Sequence, residues 1–226
     1  MTRTAFIAAM PGELKPLVRG WKHQRRNGVD LWLHRDDNLY VAACAGAGQA
    51  AATRAFAEVE KEAPVDLAFS LGWAGALRSG IAPGSVHNMA GVIDTRTGER
   101  FRCDAESGEL WLVTSPIVAD AAEKLRLAET YAASLVDMEA AAIARLAVQR
   151  GIPFYAIKAV SDALDERLPD LNAFLTPDGR FRTARFTLYA LMRPWYWSAL
   201  ARMGENSKKA AGAIRDAVSD FLDERA

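Results

Sequence analysis

Apolar and polar positions along this chain follow two periods in turn. Thr4–Met10 (TAFIAAM) is a near-continuous apolar run stopped by Pro11-Gly12, which predicts a short buried strand with Glu13 at or just beyond its carboxyl end. Leu31–His34 and Leu39–Ala43 flank the polar Arg35–Asn38 and predict a hairpin; the second strand runs straight into Ala45-Gly46-Ala47-Gly48-Gln49. From Ala50 to Glu62 the pattern turns helical, with Phe56 and Val59 one helical interval apart. Val65–Leu71 predicts a strand closed by Gly72-Trp73-Ala74-Gly75, and Pro83-Gly84 marks a turn within Gly80–Asn88. Asp94–Gly108 is polar and reads as a surface loop. Leu110–Thr114 predicts a strand and Ala119–Leu127 a short helix. Ser134–Val136 leads into Asp137-Met138-Glu139. Ala140–Gln149 is an Ala-rich helix with Gly151 as its cap. Pro153–Val160 is apolar almost throughout, as a strand covered on both faces is, and Ser161-Asp162 terminates it.

Short strands alternating with longer helices, with glycine turns at strand ends, predict an α/β fold. The expected form is a three-layer α/β/α domain around a mixed, mostly parallel sheet. No repeat, low-complexity stretch or linker interrupts the chain, so residues 1–226 read as one domain. The C-terminal quarter departs from this rhythm. Arg182–Met203 mixes Phe186, Tyr189, Trp195, Tyr196 and Trp197 with arginines. Ser207–Arg225 then sets Ala210, Ile214, Ala217, Val218, Phe221 and Leu222 on one helical face, with Asn206 or Ser207 as its cap.

Composition narrows the function. The 226 residues are 50% hydrophobic and 25% charged, and Lys+Arg and Asp+Glu both total 28. Zero net charge gives no electrostatic ground for binding a nucleic-acid polymer. The two cysteines, Cys44 and Cys103, lie far apart and exclude a disulfide scaffold; Cys44 reads as a buried thiol. His23, His34 and His87 show no metal-ligand spacing. The first residues turn polar too soon for a signal peptide, and no apolar run reaches the ~18 residues of a membrane span, so the expected address is the cytoplasm.

In open parallel sheets ligands collect beyond the carboxyl ends of strands. Glu13, Gly46–Gln49, Trp73–Gly75, Asp137 with Glu139, and Ser161-Asp162 all fall at such ends. Gly46-Ala47-Gly48-Gln49 is either a tight βα turn or a backbone site for an anion or a ribose hydroxyl at a helix N-terminus. It lacks the third glycine of a dinucleotide fingerprint and the Gly-Lys-Ser/Thr of a P-loop. Asp137 and Glu139 are either helix-start acids favoured by the dipole or buried functional groups, for which desolvation demands partners. Ser161-Asp162 is either an N-cap pair or a site pair.

Four stretches together resemble the purine nucleoside phosphorylase/nucleosidase superfamily, closest to its 5'-methylthioadenosine/S-adenosylhomocysteine nucleosidases. They are Phe6–Leu14 (FIAAMPGEL), Ala45–Ala52 (AGAGQAAA), Phe69–Leu77 (FSLGWAGAL) and Val136–Asp165 (VDMEAAAIARLAVQRGIPFYAIKAVSDALD). The resemblance implies a nucleoside phosphorylase-like fold, a small-molecule nucleoside substrate, a homodimer, and no metal or organic cofactor. It makes Asp162 the acid that protonates N7 of a leaving adenine, with Ser161 orienting it. It makes Glu139 the carboxylate on the ribose hydroxyls, with Met138 against the sugar and Asp137 beside them, and Glu13 the acid that holds the attacking water. Gly46, Gly48, Ala74 and Gly75 would line the ribose or nucleophile side. Cleaving an N-glycosidic bond builds positive charge on the sugar and negative charge on the base, so carboxylates at the sugar and a proton donor at N7 suit it. Burial at the end of an apolar strand would raise the Asp162 carboxyl for that task.

Two departures bear on the nucleophile. That branch usually has serine where Trp73 stands and arginine where Lys158 stands, both near its catalytic water. Lys158 keeps the charge and loses the planar fork. Phosphate therefore stands as the alternative nucleophile, although the Gly-Asp-Pro and arginine set of the larger phosphorylases is missing. Ser161–Arg180 followed by Arg193-Pro194-Trp195 also resembles the hopanoid-associated nucleoside phosphorylases, which act on adenosylhopane. On that reading Phe186–Trp197 is a peripheral membrane contact; the alternative is packed core or dimer interface. A catalytically idle nucleoside binder and a membrane-peripheral interaction protein are the competing classes. A pure binder has no need of Glu13, Glu139 and Asp162 together.

Overall fold

The computed structural model describes residues 2–35, 39–104, 108–166, 169–192 and 197–223. The strands are β1 (Thr4–Ala8), β2 (Lys22–Arg26), β3 (Val29–Leu33), β4 (Tyr40–Cys44), β5 (Leu67–Ala76), β6 (Val86–Asp94), β7 (Arg100–Arg102), β8 (Leu110–Thr114), β9 (Leu135–Asp137) and β10 (Phe154–Asp162). The helices are α1 (Pro11–Leu14), α2 (Gln49–Glu60), α3 (Ala121–Tyr131), α4 (Ala140–Arg150), α5 (Thr183–Leu191) and α6 (Trp197–Asp223). They build an α/β fold on one mixed sheet in the order β10-β6-β8-β9-β5-β1-β4-β3-β2, with β7 on β6. β4, β1, β5 and β10 are parallel neighbours at its centre. Because β10 also pairs with β5, the sheet closes on itself through β6, β8 and β9.

The two-residue period of β1 sorts the core. Ala5 and Ile7 face α2 and α4, whereas Phe6 and Ala8 face α1 and α6. On the α6 side Phe6, Phe69 and Tyr155 form a row with ring centroids 5.2 and 5.1 Å apart. Alanines fill the other side: Ala51, Ala52 and Ala55 of α2 and Ala140, Ala144 and Ala147 of α4 are buried, so both helices lie close to the strands. Gly151, left-handed at φ 65°, ends α4 as its sequence position predicts. Ile214 of α6 is fully buried among Phe69, Leu71 and Ile157. Ile214→Ala is expected to cost about 3 kcal/mol, read as a lower urea midpoint with an unchanged slope. A loss under ~1 kcal/mol would mean that α6 is not docked there.

The structure corrects several boundaries. The strand expected to close at Gly72 runs on to Ala76, because Gly72 at φ +131° bends the chain without ending it. Residues 67–70 of β5 pair with β1, and 75–76 turn to β9. The loop expected over Asp94–Gly108 contains β7, whose Arg-Phe-Arg puts Phe101 inside and two arginines out. β2 (KHQRR) has no apolar residue to announce it and forms an exposed edge antiparallel to β3. Neither Asn206 nor Ser207 caps a helix, since α6 begins at Trp197; Ala210, Ile214 and Val218 are buried on it as predicted. The hairpin tip, residues 36–38, lies outside the described residues. No helix among the described residues is long and apolar enough to cross a membrane.

Candidate active site

The carboxyl ends of β1, β4, β5, β8, β9 and β10 meet around one cavity of about 340 Å³. That lies at the lower end of the range for small-molecule sites. Of the residues predicted from sequence, Glu13, Ala74, Gly75, Asp137, Met138, Glu139, Ser161 and Asp162 line it. Gly46, Gly48 and Lys158 do not.

Glu13 sits in the single turn of α1. Its Oε2 accepts from Met10 N at 2.7 Å and its Oε1 from Trp73 N at 2.8 Å. The carboxyl lies against Gly72, where a Cβ would stand 2.5 Å from Oε1, so any side chain at 72 would displace it. Burial pushes the Glu13 carboxyl above its ordinary range, against the pull of these N–H groups and of Lys158. Trp73 both lines the cavity and packs against the core on the α6 side; its ring passes 3.5 Å from a Cβ placed at Gly12, and its buried Nε1 has no hydrogen-bond partner among the described residues.

Glu139, at the start of α4, explains the glycine turn. Its Oε1 accepts from Gly48 N at 2.7 Å, where α2 begins. The N–H group at the end of the turn is thus taken by the chain's own Glu139 carboxyl. Gly46, for its part, donates to Ala9 O at 3.1 Å, and Ala47 donates to Gly179 O at 2.7 Å. With these N–H groups engaged, Gly46 and Gly48 shape the site without lining it. The Glu139 carboxyl is pushed up to about 8, first by burial and then by Asp137; Lys158 opposes this, Glu13 adds to it, and the Gly48 N–H opposes it again.

Asp137 is a brace. Its Oδ1 accepts from Thr114 Oγ1 at 2.7 Å, and its Oδ2 accepts from Ala140 N and Lys158 Nζ, each at 2.9 Å. Lys158 is fully buried beneath the floor and also donates to Ser70 Oγ at 3.0 Å. It acts on the cavity through its charge, not by contact. With both oxygens engaged, Asp137 holds β8, β9 and α4 together under Met138 and Glu139.

Opposite these groups, Ser161 Oγ donates to Asp162 Oδ1 at 2.5 Å. The other oxygen, Oδ2, accepts from Lys124 Nζ. Lys124, which the sequence reading missed, reaches in from α3 and is 2% exposed. Asp162 is thus held between Ser161 and an ion pair with Lys124. Ile117, Val118, Leu171, Leu175, Phe181 and Phe186 make an apolar wall, and Asn172 fixes it by bonding Val118 N and O at 2.8 and 2.9 Å.

In the aromatic C-terminal stretch, Phe186 and Tyr189 pack edge-on against buried Phe174, with centroids 5.2 and 5.0 Å away. Leu188, Leu191, Met192 and Trp197 are exposed, and residues 193–196 lie outside the described residues.

Residues 96–191 match the phosphorylase superfamily, a segment that holds Lys124, Asp137–Glu139, Lys158 and Ser161-Asp162 but not Glu13. No curated protein sequence matches the chain. The 5'-methylthioadenosine nucleosidase of Arabidopsis thaliana superposes with a TM-score of 0.72 at 17% identity, over 99% of this chain and 95% of that one. The 5'-methylthioadenosine/S-adenosylhomocysteine nucleosidase of Neisseria meningitidis, in complex with methylthio-immucillin-A, does so at 0.72 and 20% identity, over 98% and 99%. The futalosine hydrolase of Helicobacter pylori gives 0.72 at 14%, over 99% and 98%. The chain has the fold these nucleosidases share, and across its central 96–191 segment it matches the phosphorylase superfamily.

Proposed function

We propose that this chain is an enzyme that cleaves the N-glycosidic bond of a 5'-modified adenosine and releases adenine, with water as nucleophile. The observation that carries the reading is the meeting of Glu13, Glu139 and the Ser161-Asp162 pair on one cavity whose surface is mostly apolar. In the reaction the C1'–N9 bond breaks with its electron pair passing to the purine, and the pentose becomes electron-poor. Glu139, held at the start of α2, takes the ribose hydroxyls and steadies that charge. Glu13, fixed by Met10 N and Trp73 N, orients the water that adds to C1'. Asp162 delivers a proton to N7. Ile117, Val118 and the Leu171–Phe186 wall give an apolar 5' substituent its place.

The test is adenine release from methylthioadenosine, adenosylhomocysteine and an alkyl-adenosine, each with and without phosphate. Release without phosphate, with the apolar 5' groups preferred over adenosylhomocysteine, is expected. Release that requires phosphate would make the chain a phosphorylase, the reading that goes with an adenosylhopane-type substrate. No release from any of them would leave a nucleoside binder.

A further inference from the structure

Lys124 is the one cation among the described residues that line the cavity, and its placement is unusual for a lysine within an amphipathic helix. Its neighbours Glu123 and Arg126 pair with each other on the outer face of α3. Lys124 turns inward beside Leu127, reaches the cavity wall and gives Nζ–H bonds to Asp162 Oδ2 and, at 2.5 Å, to Ala163 O. Space is reserved for this reach: a Cβ at Gly75 would lie 3.1 Å from Lys124 Cε and 3.2 Å from Asp162 Oδ2. Ser161 Oγ occupies the remaining carboxyl oxygen. Both carboxyl oxygens of Asp162 are thus held as acceptors, whereas the proposed reaction needs a proton delivered from this side chain to N7. A strand-end acid alone does not meet that need.

We propose that Lys124 loads Asp162 with the proton that leaves on the base. The inference rests on the nucleosidase reading above and identifies its proton source. When a purine fills the cavity and excludes water, one Nζ–H bond of Lys124 breaks and an O–H bond forms on Asp162, leaving a neutral amine and a neutral acid. That acid then protonates N7 as the C1'–N9 electron pair moves into the ring, and the carboxylate is restored. The water that attacks C1' gives a proton to the Glu13 carboxylate, which passes it to solvent, and the amine regains one from solvent once the products depart, so the cycle closes without a co-reactant. Lys124 acts on the base through Asp162 and is a positioning residue.

The test uses the full chain as wild type, Lys124→Met, Asp162→Asn and the double variant. Each is assayed for adenine release from methylthioadenosine and for nitrophenolate release from 4-nitrophenyl riboside, whose leaving group departs without a proton. Lys124→Met is expected to lower kcat for adenine release about 30-fold with KM within threefold of wild type, and to cost at least tenfold less on the nitrophenyl riboside. In the Asp162→Asn background, Lys124→Met is expected to add less than a twofold further loss, because nothing remains for it to load. The double variant carries neither member of the buried pair, so it remains measurable if unpaired Asp162 prevents folding of the single one. A further loss of tenfold or more in the double variant, or equal losses on both substrates, would overturn the proposal. A wild type that releases no adenine would instead overturn the nucleosidase reading, and that arm is separate.

Discussion

Asp162→Asn is expected to lower adenine release about 10³-fold while nucleoside binding persists. Asparagine keeps the size and one oxygen of the side chain, so Ser161 Oγ still has an acceptor and the wall beside Gly75 is unchanged. It cannot carry a proton to N7, and general acid catalysis is worth 10²–10⁴-fold in comparable settings. The substitution also leaves Lys124 without its carboxylate at a site 2% exposed. Breaking one side of a buried pair costs about 3–5 kcal/mol, so a lower melting temperature should accompany the lost rate. Adenine release followed by chromatography and nucleoside binding followed by calorimetry separate the two effects. Near-wild-type turnover would remove Asp162 from the acid's place.

The residues that were legible in the sequence share one property: each follows an apolar run long enough to fix where a strand ends. Glu13 after β1, Glu139 after β9 and Asp162 at the end of β10 come together because strand ends of one sheet lie side by side. What stayed hidden depends on contacts between distant segments. Nothing near Gly48 in the chain says that its N–H is taken by Glu139. Asp137 reads like its neighbour Glu139, yet only the fold shows that Thr114, Ala140 and Lys158 consume it. Lys124 sits among Glu123, Arg126 and Glu129, a pattern that reads as a solvated face. The available signal was its three-residue spacing from Leu127, the buried apolar residue of the same helix. The wall from Leu171 to Phe186 escaped for another reason. It is built by turns and a short helix, whose apolar residues show no period until Phe174 gathers them.

Glu139→Gln is expected to separate activity from stability, each with a definite sign. The Glu139 carboxyl is pushed up from 4.5 to about 8 because it is buried beside Asp137 and Glu13, with Lys158 and the Gly48 N–H recovering only part of the cost. The folded protein therefore keeps a proton that the unfolded chain gives up. By linkage, this group's contribution is most favourable below about pH 4.5, falls as pH rises toward 8, and is flat beyond. Glutamine resembles the protonated carboxyl, still accepts from Gly48 N and does not titrate. The variant should melt with wild type at pH 4.5 and above it at pH 9. Its activity should move the other way. At pH 9, where the wild-type carboxyl is ionised, losing the negative charge that faces the sugar is expected to lower release from adenine ribosides about 10²-fold, and from 2'-deoxyribosides by much less, since they lack one hydroxyl the carboxylate would hold. Melting curves across pH and paired rates on the two sugar series check both halves. Equal losses on ribosides and deoxyribosides would take Glu139 off the ribose. A melting difference that does not grow from pH 4.5 to 9 would mean that its carboxyl is not the group burial has displaced.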